Sequence, residues 1–514
     1  MLFSPRMPRG LALLPLVAAC AAPFSYTRPK IGERAFYEVS TPHILLVSDM
    51  AEDDARALGE ALEGLWVSLA DNYDLVVPGQ PRPKQVFRAV VFDDCDDFQV
   101  FVHPKKNIAG FVVLSKDFLE RPLVVGCRAR EGDPSRVFLH ELAHAFNHHF
   151  FAQTPSWLEE GLAQYFETLQ IRRGQVTLGL VPLVALAHRR DVRSGTILVG
   201  DMSGRLPTLD EILAMTPAEF YGEAAGGEAP QHYAAAWVLV HLLQSSKQLQ
   251  GRFVAYLSQL AAGQSLDDAW ASTFGDVPRA ELAKQYADYI NRNELLYWKS
   301  DYRRPDVASP TSRRLRAGEA HAVWLHLLLA TKRNAVLSVH EQLDAAERAD
   351  PSWTGLELWR GIAAHQLGET DADQHLRRAA DADPGDRLAR LALLRRAVDA
   401  EDANRLRALD ADARVLEAGA ASGIELATLA VFWTQRGQTK RAVPLAVRAV
   451  QIDHACATCY EAAALSMFRV GKPDQAVTLQ RRAVSLIERH EGRADATAAR
   501  ERLASYEAAA GRSN

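Results

Sequence analysis

Apolar and polar positions follow two different periods along this chain. Between residues 35 and 130, short apolar runs of strand length alternate with helical stretches. These runs are Ile44–Val47, Phe87–Phe92, Phe111–Leu114 and Leu123–Val125. From residue 135 to 293 the period is that of helices, except for a turn at Gly174 that predicts one hairpin. The pattern therefore predicts an α+β domain over 35–300.

A second helical region contains an internal repeat. Its small residues recur with a shift of 34 positions: Gly437, Ala442 and Ala449 return as Gly471, Ala476 and Ala483. This is the period of a tetratricopeptide (TPR) helical pair, in which small residues let two helices approach closely. Earlier copies end near Pro351 and Pro384, while 386–423 matches poorly. We expect an all-α superhelix of four or five TPR-like units over 318–489, with an unrelated α-hairpin array as the alternative.

The segments on either side of this region carry weaker signals. Residues 301–317 are polar and contain prolines, which predicts a linker between the two domains. Residues 490–514 are expected to form a C-terminal helix or tail. A formal net charge of -5 gives no large basic field, so nucleic acid is not expected as a partner.

The N terminus predicts export. Arg6 and Arg9 precede an apolar run that ends at Cys20 and is too short to cross a bilayer. Val17-Ala-Ala-Cys20 resembles the lipobox of bacterial lipoproteins. The resemblance implies a signal peptide over 1–19, a linker over 20–34 and membrane attachment through a lipidated Cys20. Ala21 then implies the periplasmic face of the outer membrane of a Gram-negative cell, and a plain secretory signal is the alternative.

Export would permit disulfides among the remaining cysteines. Cys95 and Cys127 form one candidate bridge. Cys456 and Cys459 form a CxxC motif, but neither a second such motif nor a histidine pair follows it. We therefore expect a vicinal structural disulfide or two free thiols there, rather than a redox or metal motif.

The clearest chemical motif is the HExxH sequence formed by His140, Glu141 and His144. Asp133 is a favourable N-cap and Pro134 a favourable first residue, so a helix through the motif is predicted independently. On that helix the two imidazoles share one side, and apolar residues occupy the other. Histidines one turn apart can bind a tetrahedral zinc ion, and Glu141 can take a proton from zinc-bound water. A helix with a solvated His/Glu face is the alternative.

A catalytic zinc site needs a third protein ligand and an open position. The metzincin pattern would place a histidine at position 150, but Phe150 stands there. His148 or His149 stays open as a substitute ligand. A second predicted helix carries Glu159 and Glu160, and its periodicity alone does not choose between them.

The segment 155–165, Pro-Ser-Trp-Leu-Glu-Glu-Gly-Leu-Ala-Gln-Tyr, resembles the third-ligand helix of peptidase MA-like proteins and the Trp-Leu-Asn-Glu-Gly-Phe-Ala element of zinc aminopeptidases. This resemblance implies a thermolysin/aminopeptidase-like gluzincin domain in which Glu160 is the third zinc ligand. It also implies that Tyr233, at the start of an apolar helix, stabilises the oxyanion, with His232 as the alternative donor. An edge strand at Gly110 is expected to pair with an extended substrate.

Aminopeptidases carry a Gly-x-Met-Glu-Asn element near that edge strand, and this sequence lacks it. The sequence therefore predicts an exported zinc endopeptidase or protein-processing enzyme with one zinc ion per chain. Its TPR-like region would bind a peptide or protein substrate, or a partner protein. The alternatives are a non-enzymatic TPR scaffold with a degenerate peptidase domain and a metzincin-type site that uses His148 or His149.

Overall fold

The computed structural model describes most of the chain after residue 33. The described residues are 34–83, 86–101, 110–113, 123–128, 134–151, 153–181, 206–221, 229–290, 295–302, 309–331, 336–454, 456–490 and 496–511. The expected signal peptide and Cys20 lie outside them. Within the described ranges, no helix is both long enough and apolar enough to cross a bilayer.

A six-stranded mixed sheet organises the first half of the chain, in the order β4-β5-β3-β2-β1-β9. Its strands are β1 (Tyr37–Ser40), β2 (Ile44–Ser48), β3 (Phe87–Phe92), β4 (Gly110–Val113), β5 (Leu123–Cys127) and β9 (Thr311–Arg314). Strands β2, β3 and β5 are parallel, and β1, β9 and β4 pair antiparallel with their neighbours. The four apolar runs in the sequence are thus confirmed as strands.

Ten helices belong to this half among its described residues. They are α1 (Glu52–Val76), α2 (Cys95–Gln99), α3 (Pro134–Phe150), α4 (Ser156–Phe166), α5 (Leu209–Ala214), α6 (Pro217–Phe220), α7 (Ala229–Ser245), α8 (Gln250–Ala261), α9 (Leu266–Phe274) and α10 (Arg279–Ile290). Helices α1, α3, α4 and α7 share one apolar core with the inner face of the sheet. Gly161 lets α4 touch α7, because a Cβ there would lie 2.6 Å from the carbonyl oxygen of Ala236.

The hairpin expected at Gly174 is confirmed. Strands β6 (Gln170–Arg172) and β7 (Gln175–Leu178) pair antiparallel, and Arg173 and Gly174 both have positive φ between them. Strand β8 (Trp298–Asp301) adds to β7 and completes a three-stranded sheet.

The linker predicted over 301–317 is wrong. Strand β8 ends within it, and β9 pairs with β1 at the edge of the large sheet. Helix α11 (Ala317–Ala330), expected to be the first repeat helix, covers the outer face of that sheet: Trp324 lies against Phe92 and Phe101. The side chains of β9 are mostly exposed, so a polar sequence is compatible with an edge strand that backbone hydrogen bonds hold in place.

The second half consists of TPR-like helical repeats, and its described residues form five successive pairs. The pairs are α11 with α12 (Val336–Ala349), α13 (Leu356–Leu367) with α14 (Ala372–Ala382), α15 (Arg387–Asp399) with α16 (Ala403–Ala408) and α17 (Asp410–Ala418), α18 (Gly423–Gln435) with α19 (Thr439–Ile452), and α20 (Ala457–Arg469) with α21 (Pro473–His490). Helix α22 (Thr497–Ala510) follows. The third pair matches the repeat poorly because two short helices replace its second helix.

The recurring small residues have two different roles. The four repeated alanines are fully buried between helices, as expected: Ala442, Ala449, Ala476 and Ala483. Gly437 and Gly471 do not pack between helices; instead they follow the first helix of their pair with φ of 74° and 78°. Left-handed backbone of this kind favours glycine. Glu401 occupies the corresponding place in the third pair, with φ of 50°.

Two disulfides are formed. Cys95 at the start of α2 forms a disulfide with Cys127 at the end of β5, which confirms the candidate bridge. Cys456 is bonded to Cys459 at the start of α20, so the CxxC motif forms a structural disulfide rather than two free thiols.

Candidate metal centre

Helix α3 presents the two histidines of the HExxH motif on one side. The Nε2 atoms of His140 and His144 lie 3.2 Å apart. On the other side, Phe138, Leu142 and Phe146 are buried in the core. The helix begins at Pro134 as predicted, whereas the expected cap Asp133 lies outside the described residues.

Helix α4 brings Glu160 to the same point. Its Oε2 atom lies 3.6 Å from Nε2 of His140 and 3.6 Å from Nε2 of His144. Zinc bonds of about 2.0–2.1 Å in tetrahedral geometry would separate neighbouring ligand atoms by roughly 3.4 Å. Glu160 is 5% exposed, and within the described part of the chain its Oε2 has no hydrogen-bond partner. These three side chains therefore fit a zinc ion.

Both histidines are oriented by a carboxylate on the far side of the ring. Nδ1 of His140 lies 2.8 Å from Oε2 of Glu167, and Nδ1 of His144 lies 2.8 Å from Oε1 of Glu159. When each Nδ1 donates its hydrogen to a carboxylate, the lone pair on Nε2 is left for a metal. The sequence alone did not predict that Glu159 or Glu167 would orient a histidine.

Glu159 is itself held from several directions. The hydroxyl of Thr154 donates to its Oε2 at 2.5 Å, and the side-chain amide of Asn147 donates to its backbone oxygen at 3.2 Å. Tyr73 of α1 in turn donates to Oδ1 of Asn147 at 2.6 Å in the buried core. The orientation of the His144 ring thus depends on a network that reaches into α1.

The charges in this cluster favour a cation. Burial lowers the pKa of His140, but the carboxylates of Glu160 and Glu167 outweigh burial and raise the pKa well above its usual value. Burial raises the pKa of Glu160, but His144 and His140 outweigh it and lower the pKa. A buried carboxylate that is kept ionised needs a positive partner, and a divalent ion can take that place.

Two tyrosines from the α6–α7 region approach Glu160. The hydroxyl of Tyr221 donates to its Oε1 at 3.0 Å. The ring of Tyr233 lies 6.3 Å from that of Tyr221; burial raises the pKa of Tyr233, and the charges of Glu160 and Glu141 raise it further. Tyr233 therefore stays a neutral phenol. Tyr221 was missed because only its folded position reveals the contact.

The other histidines considered from the sequence contact other groups. His232 is buried, with its Nδ1 2.7 Å from the carbonyl oxygen of Phe220. Nε2 of His148 lies 3.3 Å from Oε1 of Glu159, on the outer side of the His144 ring. Nε2 of His149 lies 2.8 Å from the backbone oxygen of Pro81. The geometry thus favours Glu160 over the metzincin-type alternatives.

The strand that carries Gly110 is an edge strand, as expected. Strand β4 is an edge of the six-stranded sheet and runs beside α3. Its far side carries no neighbouring strand among the described residues. Substrate pairing at this edge stays a prediction.

Comparisons with known proteins give one family match over part of the chain and two similar solved structures. A family model described as a protein of unknown function (DUF1570) matches residues 138–267, a range that contains the whole cluster. None of the curated proteins compared with the chain matches it. The crystal structure of yeast Tom70 is similar at 12% identity and a TM-score of 0.29, over 57% of this chain and 57% of its own. The TPR domain of P58(IPK) is similar at 14% identity and a TM-score of 0.22, over 58% of this chain and 86% of its own.

Proposed function

We propose that this protein is a zinc-dependent peptidase of the gluzincin type, with His140, His144 and Glu160 as ligands of one zinc ion. The observation that carries the proposal is the triangle of two Nε2 atoms and Oε2, with sides of 3.2, 3.6 and 3.6 Å. Its spacing suits tetrahedral zinc, and its members come from two helices fixed in one core.

The residues around this triangle suit hydrolysis of a peptide bond. Zinc, when bound, acts as a Lewis acid that lowers the pKa of water and polarises a carbonyl group. Glu141 follows His140 on α3; its carboxylate takes a proton from the attacking water and passes it to the leaving nitrogen. The hydroxyl of Tyr233 donates to the substrate carbonyl oxygen as negative charge gathers there. Among the described residues β4 is an edge strand, and such an edge suits an extended substrate in an endopeptidase or protein-processing reaction.

The remaining parts of the proposal concern location and partners. The lipobox-like sequence supports export and attachment to a membrane through lipidated Cys20, and the two disulfides fit an oxidising compartment. Between the outer face of the sheet and the helical repeats lies a cavity of about 1340 Å³, lined in part by the indoles of Trp353 and Trp359. The cavity is lined by both apolar and charged side chains, which supports binding of a substrate or partner polypeptide by the repeats.

Metal content and peptide hydrolysis test the proposal together. We expect about one zinc ion per chain in the wild type. Glu141→Gln should keep the zinc and lose hydrolysis by about 10²–10⁴-fold, because a general base is removed and the ligands are not. Glu160→Ala should lose the zinc. A folded wild-type protein without stoichiometric zinc would contradict the proposal, and zinc retained in Glu160→Ala would favour a ligand from His148 or His149.

The second candidate is a non-enzymatic TPR-like scaffold, which the extent of the helical repeats supports. A wild-type protein that binds zinc, cleaves no member of a diverse peptide library and still captures a defined partner would favour this function.

A further inference from the structure

The two carboxylate oxygens of Glu160 have different surroundings. Oε2 faces the Nε2 atoms of His140 and His144 and has no hydrogen-bond partner among the described residues. Oε1 accepts the hydroxyl hydrogen of Tyr221 at 3.0 Å. One oxygen is thus directed at the centre of the cluster, and the other is engaged outside it.

The position of Tyr221 is fixed by the chain around it. Thr216 and Glu219 form a capping box that holds the single turn of α6. Phe220 is fully buried, its ring lies 5.6 Å from that of Tyr233, and its backbone oxygen contacts the ring of His232. The backbone amide of Tyr221 donates to the oxygen of Pro217 at 3.0 Å. Although Tyr221 is 38% exposed, its hydroxyl is therefore held at Glu160 by the turn that precedes it.

We propose that Tyr221 is a positioning residue that presents one oxygen of Glu160 to the metal and keeps the other away from it. This inference rests on the proposed zinc site. A glutamate can bind zinc through one oxygen or two, and rotation of its carboxylate converts one mode into the other. A hydrogen bond to Oε1 opposes that rotation, and breaking it would leave a buried carboxylate oxygen unpaired.

The same contact separates the tasks of the two tyrosines. A phenol has a single hydrogen to donate, and that of Tyr221 is engaged by Glu160. Tyr221 therefore acts on metal binding, whereas Tyr233 is left to act on the substrate carbonyl.

The hydroxyl of each tyrosine can be removed without removing its ring. In Tyr221→Phe we expect the zinc dissociation constant, measured by competition with a chelator, to rise about 10–100-fold. The visible absorption spectrum of the cobalt-substituted protein should change as the carboxylate changes its binding mode. In Tyr233→Phe we expect kcat to fall, with zinc affinity and the cobalt spectrum unchanged. Tyr297→Phe, at a tyrosine that is 49% exposed, controls for the loss of a phenol hydroxyl elsewhere.

Three results decide between the hypotheses. A zinc affinity of Tyr221→Phe within twofold of wild type, with an unchanged cobalt spectrum, would overturn the role of Tyr221 and leave the zinc site standing. A wild type that binds neither zinc nor cobalt would overturn the proposed function itself. Circular dichroism and melting of the metal-free variants establish that each is folded, and a Tyr221→Phe that melts like wild type with weakened zinc binding supports the inference.

Discussion

At the scale of single residues, buried charge outside the candidate metal centre also depends on specific partners. Glu63 in α1 is 2% exposed, and it accepts hydrogen bonds from the hydroxyl of Thr41 at 2.6 Å and the backbone amide of His43 at 3.1 Å. Burial would raise the pKa of Glu63, but these bonds and the His43 ring outweigh burial and lower the pKa. Ionised Glu63 therefore stabilises the folded chain.

Replacement of Glu63 by glutamine tests this contribution through its pH dependence. Because the folded-state pKa is lower than the unfolded value of about 4.3, the contribution is complete above that pH and is lost as pH falls through the folded pKa. We expect Glu63→Gln to lower the free energy of unfolding by about 1–3 kcal/mol at pH 7, with a smaller difference below pH 4. Urea denaturation at both pH values measures it. Glu60→Gln, on the exposed face of the same helix, should change it by less than about 0.5 kcal/mol.

The sequence predicts the centre of the candidate site better than its surroundings. His140 and His144 are paired by helical periodicity, and Glu160 follows from a local resemblance, so short-range pattern is enough to nominate them. Glu167 and Tyr221 act across contacts 27 and 61 positions apart in the chain. No local pattern encodes such contacts, because they depend on how α3, α4 and α6 pack together.

At the scale of elements, the third helical pair departs from the others at its turn. Gly437 and Gly471 follow the first helix of their pairs with left-handed backbone, whereas Glu401 holds that conformation with a side chain. A residue other than glycine pays about 1–2 kcal/mol for left-handed backbone, and part of this is offset because glycine is more flexible in the unfolded chain.

Introducing glycine at one of these turns and removing it from another should therefore change the free energy of unfolding in opposite directions. We expect Glu401→Gly to raise the free energy of unfolding by about 0.5–1 kcal/mol. The reverse change, Gly437→Glu, should lower it by a similar amount, since nothing lies within 4 Å of a Cβ placed there and no clash contributes. Chemical denaturation followed by circular dichroism measures both. Equal stability of Glu401→Gly and wild type would show that the turn is not strained.

The strands that could not be predicted from the sequence share one property: their side chains are mostly exposed, so they show no apolar pattern. The residues of β8 and β9 are almost all exposed, and these strands exist because their backbones complete a sheet. Apolar strands such as β3 and β5 were predictable because both faces of the sheet are covered at those positions, which requires continuous apolar runs.

At the scale of the whole molecule, α11 joins the sheet to the helical repeats. It begins the repeat series, yet its Trp324 is 1% exposed and packs on Phe92 of β3 and on Phe101. The two halves of the chain thus share one apolar cluster, and a boundary between independent domains cannot be drawn at residue 317.

Loss of this contact should weaken both halves. We expect Trp324→Ala to lower the free energy of unfolding by about 3–5 kcal/mol, because it removes a large buried side chain. Circular dichroism should report earlier melting of the helical repeats, and release of the proposed zinc ion should begin at the same lower temperature. Trp298→Ala, where the indole is 51% exposed, is the matched control and should have little effect. Release of zinc at the wild-type temperature would show that the halves unfold separately.

The pairing of β9 with β1 also sets the order in which the molecule can be assembled. Glu38 and Arg313, which form an ion pair across these strands, are 275 positions apart in the chain. Ribosomes synthesise a polypeptide from its N terminus, so β1 exists long before its outer neighbour does. During that interval β1 is an unpaired edge strand, and unpaired edge strands can pair with strands of other molecules and aggregate. A chaperone that shields β1 until residue 314 arrives would therefore raise the yield of this protein more than one that acts on the helical repeats, which fold by local contacts.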